Sequence, residues 1–477
     1  MLHDDADGGQ LGGVIGQLVT GELTREQFLR RTAVMGVSAA TVGAILAGTD
    51  AAAGAVRRPA GRSATSINIL VAAEGDEKGV RDKLSDIKAK LGVDVKVTAL
   101  AVGPLLEKAN QSFKAPTNPY DAIMVLGFAV SQMVGGGNFV KLNPYVPKAP
   151  AGYDFKDFPK GQLDYVGYFD VKRQRFGGKD LYLIPGLHGG SVIMYYRQDL
   201  FDKAGLKAPK TWKEYLATAR KLNAGGVAGT SMVAKSSDVS MFLVDWYTRF
   251  ATMGGKLMSG SPSAKNYTPH LTSAASVAAL QHMVDCTKVS PKGVLSYDFT
   301  AAVNAFSAGK VAMMLMWSTI AGPVYSPKTS KVAGKVGVAG PPGNSPALAG
   351  RAVRGGWGMG IPKNAKNKDA AWSVIAYLTS KQWEVYQTAK YQTDPSRNST
   401  FTDPSLVSAL PYLPVAGKVF SRAKILDIAL IPQTFELITD ASTAFYGALQ
   451  GNSSAADACK KANDIWIEKL KRDGHLA

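Results

Sequence analysis

Two carboxylates and one histidine are the side chains whose types and spacing most suggest chemistry in this chain. Glu74 and Asp76 follow a predicted strand and are separated by a single glycine. Enzymes that cleave glycosidic bonds use a pair of carboxyl groups, but these groups flank the sugar from opposite sides. Because Glu74 and Asp76 lie in one loop, we predict that they belong to a binding loop or a helix N-terminus and not to a catalytic pair.

The histidine is His188, in the glycine-rich loop 185–190 between two predicted strands. It is a candidate ligand-binding residue, and the alternative is a structural or merely exposed histidine. The other histidines have no partners at the spacing of a metal site. Motifs such as His-Glu-x-x-His, Gly-x-Ser-x-Gly and the phosphate-binding Gly-x-x-x-x-Gly-Lys-Ser/Thr do not occur. We therefore predict no catalytic residue, no metal site and no cofactor.

Two tryptophans occupy positions typical of a binding cleft. Trp317 directly follows the predicted strand 311–316, and Trp357 follows Gly356 in a glycine-rich segment. Sugars and polyols present hydroxyl groups to polar partners and C–H faces to flat aromatic rings, so their sites combine both kinds of side chain. Glycines allow the backbone to approach a ligand closely. The alternative for both tryptophans is a place in the core, where this residue type is usually buried.

The predicted elements that position these residues alternate between strands and helices. Residues 67–72, 93–100 and 120–126 read as strands, with a helix over 78–90 between the first two. Continuous apolar strands of this kind are typical of a parallel sheet covered on both faces. A chain of 477 residues exceeds the size of a single core, which stops growing at roughly 250–300 residues, so we predict two lobes.

Composition describes an ordinary globular protein with a basic surface. The chain is 46% hydrophobic and 19% charged, and its formal net charge is +18. Such a field attracts anionic partners. The lysines and arginines are nevertheless scattered, with short clusters at 172–175 and 363–368, and no nucleic-acid motif accompanies them. We predict solvated surface charge and no nucleic-acid partner.

The N-terminal 53 residues have the character of an export signal. Arg25, Arg30 and Arg31 precede the uncharged, apolar run 32–48, which is short for a membrane span, and 51–53 is a run of alanines suited to cleavage. Residues 24–30 are similar to a twin-arginine export motif in which a glutamate replaces the second arginine, so the export route stays open. No cysteine stands directly after the run, so we predict no lipid anchor. Together these features predict an exported, periplasmic protein.

Four segments together resemble the family 1 extracellular solute-binding proteins of ABC importers. The segment that begins at Phe201 carries Phe-Asp-Lys-Ala-Gly-Leu and then Pro-Lys-Thr-Trp-Lys-Glu-Tyr, with Thr211 and Glu214 placed as a capping box at the start of a helix. The other segments are Phe306–Trp317, Arg354–Ile361 and the Thr-Asp-Pro-Ser-Arg-Asn-Ser-Thr stretch around Pro395. The resemblance runs from about residue 66 to the C-terminus.

This resemblance implies an α/β, two-lobed periplasmic-binding-protein fold of type II, each lobe a mostly parallel sheet flanked by helices, with the ligand in the cleft between the lobes. We predict a signal segment at 1–53 and a linker at 54–65. The lobes are predicted to be 66–187 with 317–365, and 188–316 with 366–477.

The function that the resemblance implies is a monomeric receptor that captures a carbohydrate or sugar alcohol and delivers it to ABC permease subunits in the membrane. Positions that match the family's cleft add further candidates to Glu74, Asp76, His188, Trp317, Gly356 and Trp357; they are Phe128, Asp238, Trp246 and Arg397. Two alternatives remain open, a secreted glycan-acting enzyme or lectin, and a receptor for an anionic solute such as a uronate or a glycerol phosphate.

Two cysteines, Cys286 and Cys459, are too few for a disulfide scaffold. In an oxidising compartment they either bridge each other or remain two separate buried thiols.

Overall fold

A computed structural model describes residues 17, 24–34, 65–73, 75–187, 189–425 and 427–477. Most of the predicted signal segment and linker therefore lies outside the described residues. The strands are β1 Thr65–Ala72, β2 Val93–Leu100, β3 Ala122–Leu126, β4 Tyr168–Asp170, β5 Arg175–Leu181, β6 Ile184–Pro185, β7 Val192–Arg197, β8 Met258–Ser259, β9 Thr268–Pro269, β10 Met313–Trp317, β11 Val336–Ala339 and β12 Trp357–Gly360.

The α-helices are α1 Arg25–Val34, α2 Asp76–Asp82, α3 Leu84–Leu91, α4 Val102–Phe113, α5 Val130–Met133, α6 Lys160–Gln162, α7 Gln198–Ala204, α8 Trp212–Leu222, α9 Val239–Thr252, α10 Ala274–Thr287, α11 Phe299–Ser307, α12 Ala321–Tyr325, α13 Lys368–Leu378, α14 Lys381–Tyr391, α15 Asn398–Phe401, α16 Pro404–Val407, α17 Leu413–Arg422, α18 Thr434–Leu449 and α19 Ala455–Arg472. Short 3₁₀ segments include Gly127–Ala129, Ser318–Ile320 and Asp427–Leu430, and Leu163–Gly167 is a π-helical turn. Among the described helices, none combines the length and the apolar character that a membrane crossing requires.

The sheet of the first lobe has the strand order β2-β1-β3-β12-β6. Strand β1 pairs in parallel with β2 and β3, as the apolar runs predict, and β12 pairs antiparallel with β3 and β6. In the second lobe the order is β10-β7-β11, and β7 is antiparallel to both neighbours. The parallel partner of β10 is the segment around Ser231, which forms an isolated bridge to Met314. Parallel pairing is therefore found on one side of each sheet: among β2, β1 and β3 in the first lobe, and beside β10 in the second.

Helix α8 begins as its sequence predicts. The Thr211 hydroxyl accepts a hydrogen bond from the backbone N–H of Glu214, and the Glu214 carboxylate accepts one from the backbone N–H of Thr211. These bonds satisfy two N–H groups that lack partners within the helix. The same physics begins α14, because the Ser380 hydroxyl caps this helix by accepting a hydrogen bond from the backbone N–H of Trp383 at 3.2 Å.

The hydrophobic residues form two cores, and these divide the chain differently from the predicted lobe boundaries. Val324, Val332 and Val353 pack in the core of the second lobe, although 317–365 was assigned to the first. Trp372 and Trp383 pack in the core of the first lobe, although 366–477 was assigned to the second. The difference arises because the chain crosses between the lobes near residues 354 and 392, at points that hydrophobic periodicity does not mark.

Candidate functional site

Among the described residues, the chain passes between the two cores at three places, which lie side by side. These crossovers are the segments 186–191, 354–356 and 392–397. The backbone N–H of Gly189 donates to the carbonyl of Asp394 at 2.9 Å, and Ser191 and Arg354 form an antiparallel bridge. Three adjacent strands of backbone make a narrow connection between the lobes, which is the geometry of a hinge.

A cavity of about 520 Å³ lies at this connection and is bounded by both lobes. Its size falls within the range of small-molecule sites, which is roughly 300–1,000 Å³. The residues that line it are Val102, Leu126, Phe128, Tyr165, Gly189, Ser240, Met241, Phe299, Trp317, Thr319, Ile320, Pro323, Gly355, Gly356, Trp357, Tyr391, Gln392, Thr393 and Phe435.

Trp317 enters the cavity from the second lobe. As the last residue of β10 it pairs with Val192, and its indole N–H donates to the Met241 sulfur at 3.2 Å. The ring lies against Gly190 and Gly355: a Cβ at Gly355 would come within 2.6 Å of the indole. Because Gly190 and Gly355 carry no side chain, the half-buried ring of Trp317 packs directly against the backbone of these two crossovers.

Trp357 enters from the first lobe, where it begins β12 opposite Leu126 and is only 2% exposed. Gly356 precedes it with φ +117°, a conformation that L side chains rarely adopt, and its carbonyl accepts from Gly127 N–H at 3.1 Å. Phe128 is 7% exposed and packs against the core of the second lobe. The structure therefore brings four predicted candidates, Phe128, Trp317, Gly356 and Trp357, to one cavity.

Three other candidates lie elsewhere. Trp246 is fully buried in the core of the second lobe, stacked on Phe250 with 4.8 Å between ring centroids. Asp238 precedes α9, and its carboxylate accepts a hydrogen bond from the backbone N–H of Phe299 at 2.9 Å. Neither Trp246 nor Asp238 lines the cavity, because Trp246 faces the helices that pack behind α9 and Asp238 is bonded to the first residue of α11.

Arg397 is also fully buried and does not line the cavity. Its guanidinium donates to the carbonyls of Thr379 at 2.9 Å and Asp154 at 2.7 Å, and it stacks 4.0 Å from the ring centroid of Phe158. The planar fork suits this role as well as it suits vicinal hydroxyls. Arg397 joins the third crossover to the first lobe and lies outside the lining of the cavity.

Residues 74 and 188 lie outside the described residues, and so does the side chain of Asp76. Their predicted roles in ligand binding stay predictions.

The two cysteines are free thiols, so the disulfide hypothesis is wrong for this structure. The Cys459 thiol contacts the hydroxyl of Ser276 near the start of α10, whereas Cys286 lies ten residues further along that helix. At about 1.5 Å per residue this separation is roughly 15 Å, well beyond the Cα distance of about 7 Å that a disulfide tolerates.

The sequence analysis missed several lining residues. Gln392 and Thr393 follow α14 at a crossover, and Phe299 begins a helix whose sequence reads as ordinary core. Tyr165 lies in the π-helical turn. None of these residues carries a local sequence pattern that marks it as part of a cleft.

The lining of the cavity is uncharged within the described part of the chain. The guanidinium of Arg354 lies behind the second crossover, donates to the carbonyl of Ala423 at 2.9 Å, and is 3% exposed. Burial lowers the pKa of Arg354 to about 10, which leaves it a cation at neutral pH. The Asp394 carboxylate accepts a hydrogen bond from the Ser318 hydroxyl and is equally buried. Both charged groups therefore lie behind the cavity wall.

Two α/β lobes, three adjacent crossovers and an aromatic cavity between the lobes define a two-lobed ligand-binding protein. The model of the bacterial extracellular solute-binding protein family matches residues 77–385, more than half of the chain, and the protein belongs to that family.

Two relatives agree with this membership, and a solved structure agrees with the fold. A probable amino-acid ABC transporter periplasmic-binding protein of Sinorhizobium fredii is 28% identical over 326 residues, which cover 67% of this chain and 69% of the relative. A mannitol-binding protein of Pseudomonas aeruginosa is 25% identical over 318 residues, covering 62% and 70%. An ABC transporter solute-binding protein of Agrobacterium radiobacter in complex with ribitol superposes with a TM-score of 0.71 at 24% identity, covering 85% of this chain and 98% of that one. The predicted fold class is confirmed.

Proposed function

We propose that this protein is the receptor of an ABC importer, and that it captures an uncharged sugar or sugar alcohol outside the cytoplasm and delivers it to permease subunits in the membrane. The observation that carries this proposal is the cavity at the crossovers, which has a tryptophan on each lobe and no charged lining within the described residues. Aromatic faces favour the C–H faces of sugars, and closure of two lobes around a ligand is a recurrent mechanism of solute capture.

Electrostatics separate an uncharged ligand from the anionic alternative. A uronate or a glycerol phosphate loses its hydration when it enters a cleft, and this cost is recovered only by a paired charge or several donors. Arg354 is a buried cation on the second crossover, but its guanidinium donates to the carbonyl of Ala423 and lies over the ring of Phe420. The same argument applies to the carboxylate and ammonium groups of an amino acid.

The proposal is tested by a thermal-shift panel followed by titration calorimetry. The panel contains D-mannitol, ribitol and maltose as uncharged solutes, and D-glucuronate, sn-glycerol 3-phosphate and L-amino acids as charged ones. We expect uncharged members to raise the melting temperature and to bind with a stoichiometry of one. A ligand at about 100 times its Kd adds roughly 2.7 kcal/mol to the free energy of unfolding. Stabilisation by charged members alone would contradict the proposal.

Recovery of the ligand separates a receptor from a glycan-acting enzyme. A receptor returns its ligand unchanged, so chromatography of the solution after prolonged incubation is expected to recover all of the added solute. Appearance of a cleaved product would instead support the enzyme alternative.

A further inference from the structure

The described lining of the cavity is mostly apolar, three of its polar side chains are gathered on one side, and this division carries information about the ligand. Polar, uncharged side chains come from Ser240, Thr319, Gln392 and Thr393. Tyr165 and Tyr391 each carry a hydroxyl on an aromatic ring, and the other side chains are aliphatic, aromatic or the thioether of Met241. A solute that complements the cavity must match this division, because buried polar groups need partners and apolar surfaces need apolar contacts.

The polar side lies at the third crossover. Thr319 follows Ser318 and Thr393 precedes Asp394, and the Ser318 hydroxyl donates directly to the Asp394 carboxylate. Gln392 lies against the start of α12, since a Cβ at Gly322 would come within 2.5 Å of the Gln392 Oε1. Thr319, Gln392 and Thr393 are therefore neighbours, and we call these three the polar side.

The apolar side consists of Phe128, Met241, Phe299 and Phe435, and we call these four the apolar wall. Ser240, which precedes Met241 in α9, is a polar lining residue beside this wall. The backbone N–H of Phe299 donates at 2.9 Å to the carboxylate of Asp238, which directly precedes α9, the helix that carries Met241. Helix α18 carries Phe435 and contacts α9, where the hydroxyl of Ser442 donates to the carbonyl of Val239.

Phe128 completes this wall from the first lobe. Its 3₁₀ segment contacts the segment Asp427–Leu430, which leads into α18, and the hydroxyl of Ser131 donates to the carbonyl of Leu430 at 2.6 Å. The four apolar side chains therefore lie around the junction of the two lobes, on elements other than the third crossover.

A simple polyol complements only part of this cavity. It carries a hydroxyl on every carbon, and a hydroxyl placed against the apolar wall would lose its hydrogen bonds to water without gaining others. An apolar substituent at the same place would be removed from water and would contact the rings of Phe299 and Phe435.

We infer that the solute is an uncharged amphipathic glycoside, with its sugar ring on the polar side and an aryl or alkyl aglycone on the apolar wall. This inference rests on the proposed function, because it assigns a ligand class to the same cavity. It adds a requirement that a general sugar receptor does not have, namely an apolar group attached to the sugar.

The test compares matched glycosides by titration calorimetry with the full chain. The probes are the methyl and phenyl β-D-glucopyranosides, the corresponding galactosides and xylosides, and free D-glucose, D-mannitol and ribitol. We expect the phenyl member of the best pair to bind at least about tenfold more tightly than the methyl member, because the phenyl ring buries more apolar area.

Two variants locate this preference. Phe299→Ala and Phe435→Ala are each expected to reduce the phenyl-to-methyl affinity ratio to within about threefold, because each removes a ring that the aglycone would contact. Phe155→Ala is the matched control: Phe155 is also partly buried, packs against Phe158, and does not line the cavity, so the ratio is expected to stay at the wild-type value. The melting temperatures of all three variants show whether each one folds. If one of the two wall variants does not fold, the other still tests where the aglycone lies.

Each contrary outcome has a distinct meaning. Free sugars, polyols or methyl glycosides that bind as tightly as phenyl glycosides would overturn the inference and leave the proposed function standing. A phenyl preference that survives in both wall variants would also overturn it, because the aglycone would then lie elsewhere. Failure of the folded protein to bind any probe, including the panel of uncharged solutes above, would overturn the inference and the proposed function together.

Discussion

At the scale of single residues, two tryptophans that were both candidates for the binding site have opposite environments. Trp317 is half-buried at the cavity and packs on glycine backbone, whereas Trp246 is enclosed by Phe250 and Phe445. Truncation removes a ligand contact in the first case and leaves a core cavity in the second.

We therefore expect Trp317→Ala to weaken ligand binding by roughly 1–3 kcal/mol, with a small change in the unliganded free energy of unfolding. Trp246→Ala is the contrasting control and is expected to lose roughly 3–5 kcal/mol of stability. Calorimetry with the best-binding probe and urea unfolding without ligand measure the two effects. Intact affinity in Trp317→Ala, with a large loss of stability, would assign Trp317 to the core.

Arg397→Ala is expected to act on folding and not on recognition. Its removal leaves the carbonyls of Thr379 and Asp154 without their donor and takes a cation away from Asp157, which lies 3.7 Å from it. Breaking a buried charge pair from one side costs roughly 3–5 kcal/mol. Urea unfolding measures this loss, and Arg397→Lys is expected to recover little of it because a point charge cannot replace the fork. Near-wild-type stability with lost binding would return Arg397 to the site.

At the scale of elements, α9 and α10 are joined by a buried polar cluster. The Arg249 guanidinium donates to Nδ1 of His282 at 3.2 Å and to the Asp245 carboxylate, and Nε2 of His282 lies 3.2 Å from the carbonyl of Trp212. Since Nδ1 accepts, the histidine is neutral with its proton on Nε2. Burial, and then the charge of Arg249, lower the pKa of His282 to about 3.

This cluster predicts a pH dependence of stability. Below pH 6.5 the unfolded chain binds a proton at this histidine while the folded chain does not, so stability falls as the pH is lowered from about 6.5 towards 3. The slope is at most roughly 1.4 kcal/mol per pH unit. Urea unfolding of wild type and His282→Gln across this range measures the difference, and we expect the wild type to lose stability more steeply on acidification. Parallel curves for the two proteins would show that His282 titrates normally.

At the scale of the whole molecule, the narrow connection of three crossovers predicts closure of the lobes around the ligand. The lobes already touch where the hydroxyl of Ser131 donates to the carbonyl of Leu430, so the expected movement is a rotation about this contact and the crossovers.

Small-angle X-ray scattering is expected to give a smaller radius of gyration when the best-binding probe saturates the protein. Trp317→Ala at the same probe concentration is expected to stay nearer the unliganded value, because less ligand is bound. Identical scattering curves with and without saturating probe would show that capture requires no closure.

Local patterns in the sequence determined the position of several strands and the start of one helix. An apolar run specified the strand 93–100 with its observed bounds, and Thr211 and Glu214 specified the start of α8. Trp317 was expected to follow a strand and Trp357 to lie in a glycine-rich segment, and both line the cavity, while their contact with a ligand stays a prediction. Strand periodicity, capping and turns are properties of neighbouring residues, so the sequence carries them directly.

Only the tertiary structure decided which lobe each segment joins and which polar residues meet the cavity. Arg397 and Gln392 lie in one polar segment, yet one is buried against Phe158 and the other lines the cleft. Cys286 and Cys459 lie on helices that pack together, but Cys459 lies beside the start of α10 and Cys286 lies near its end. Such outcomes depend on where the chain crosses between two cores and on the direction of each side chain there. Both follow from packing between residues distant in sequence, for which no local pattern exists.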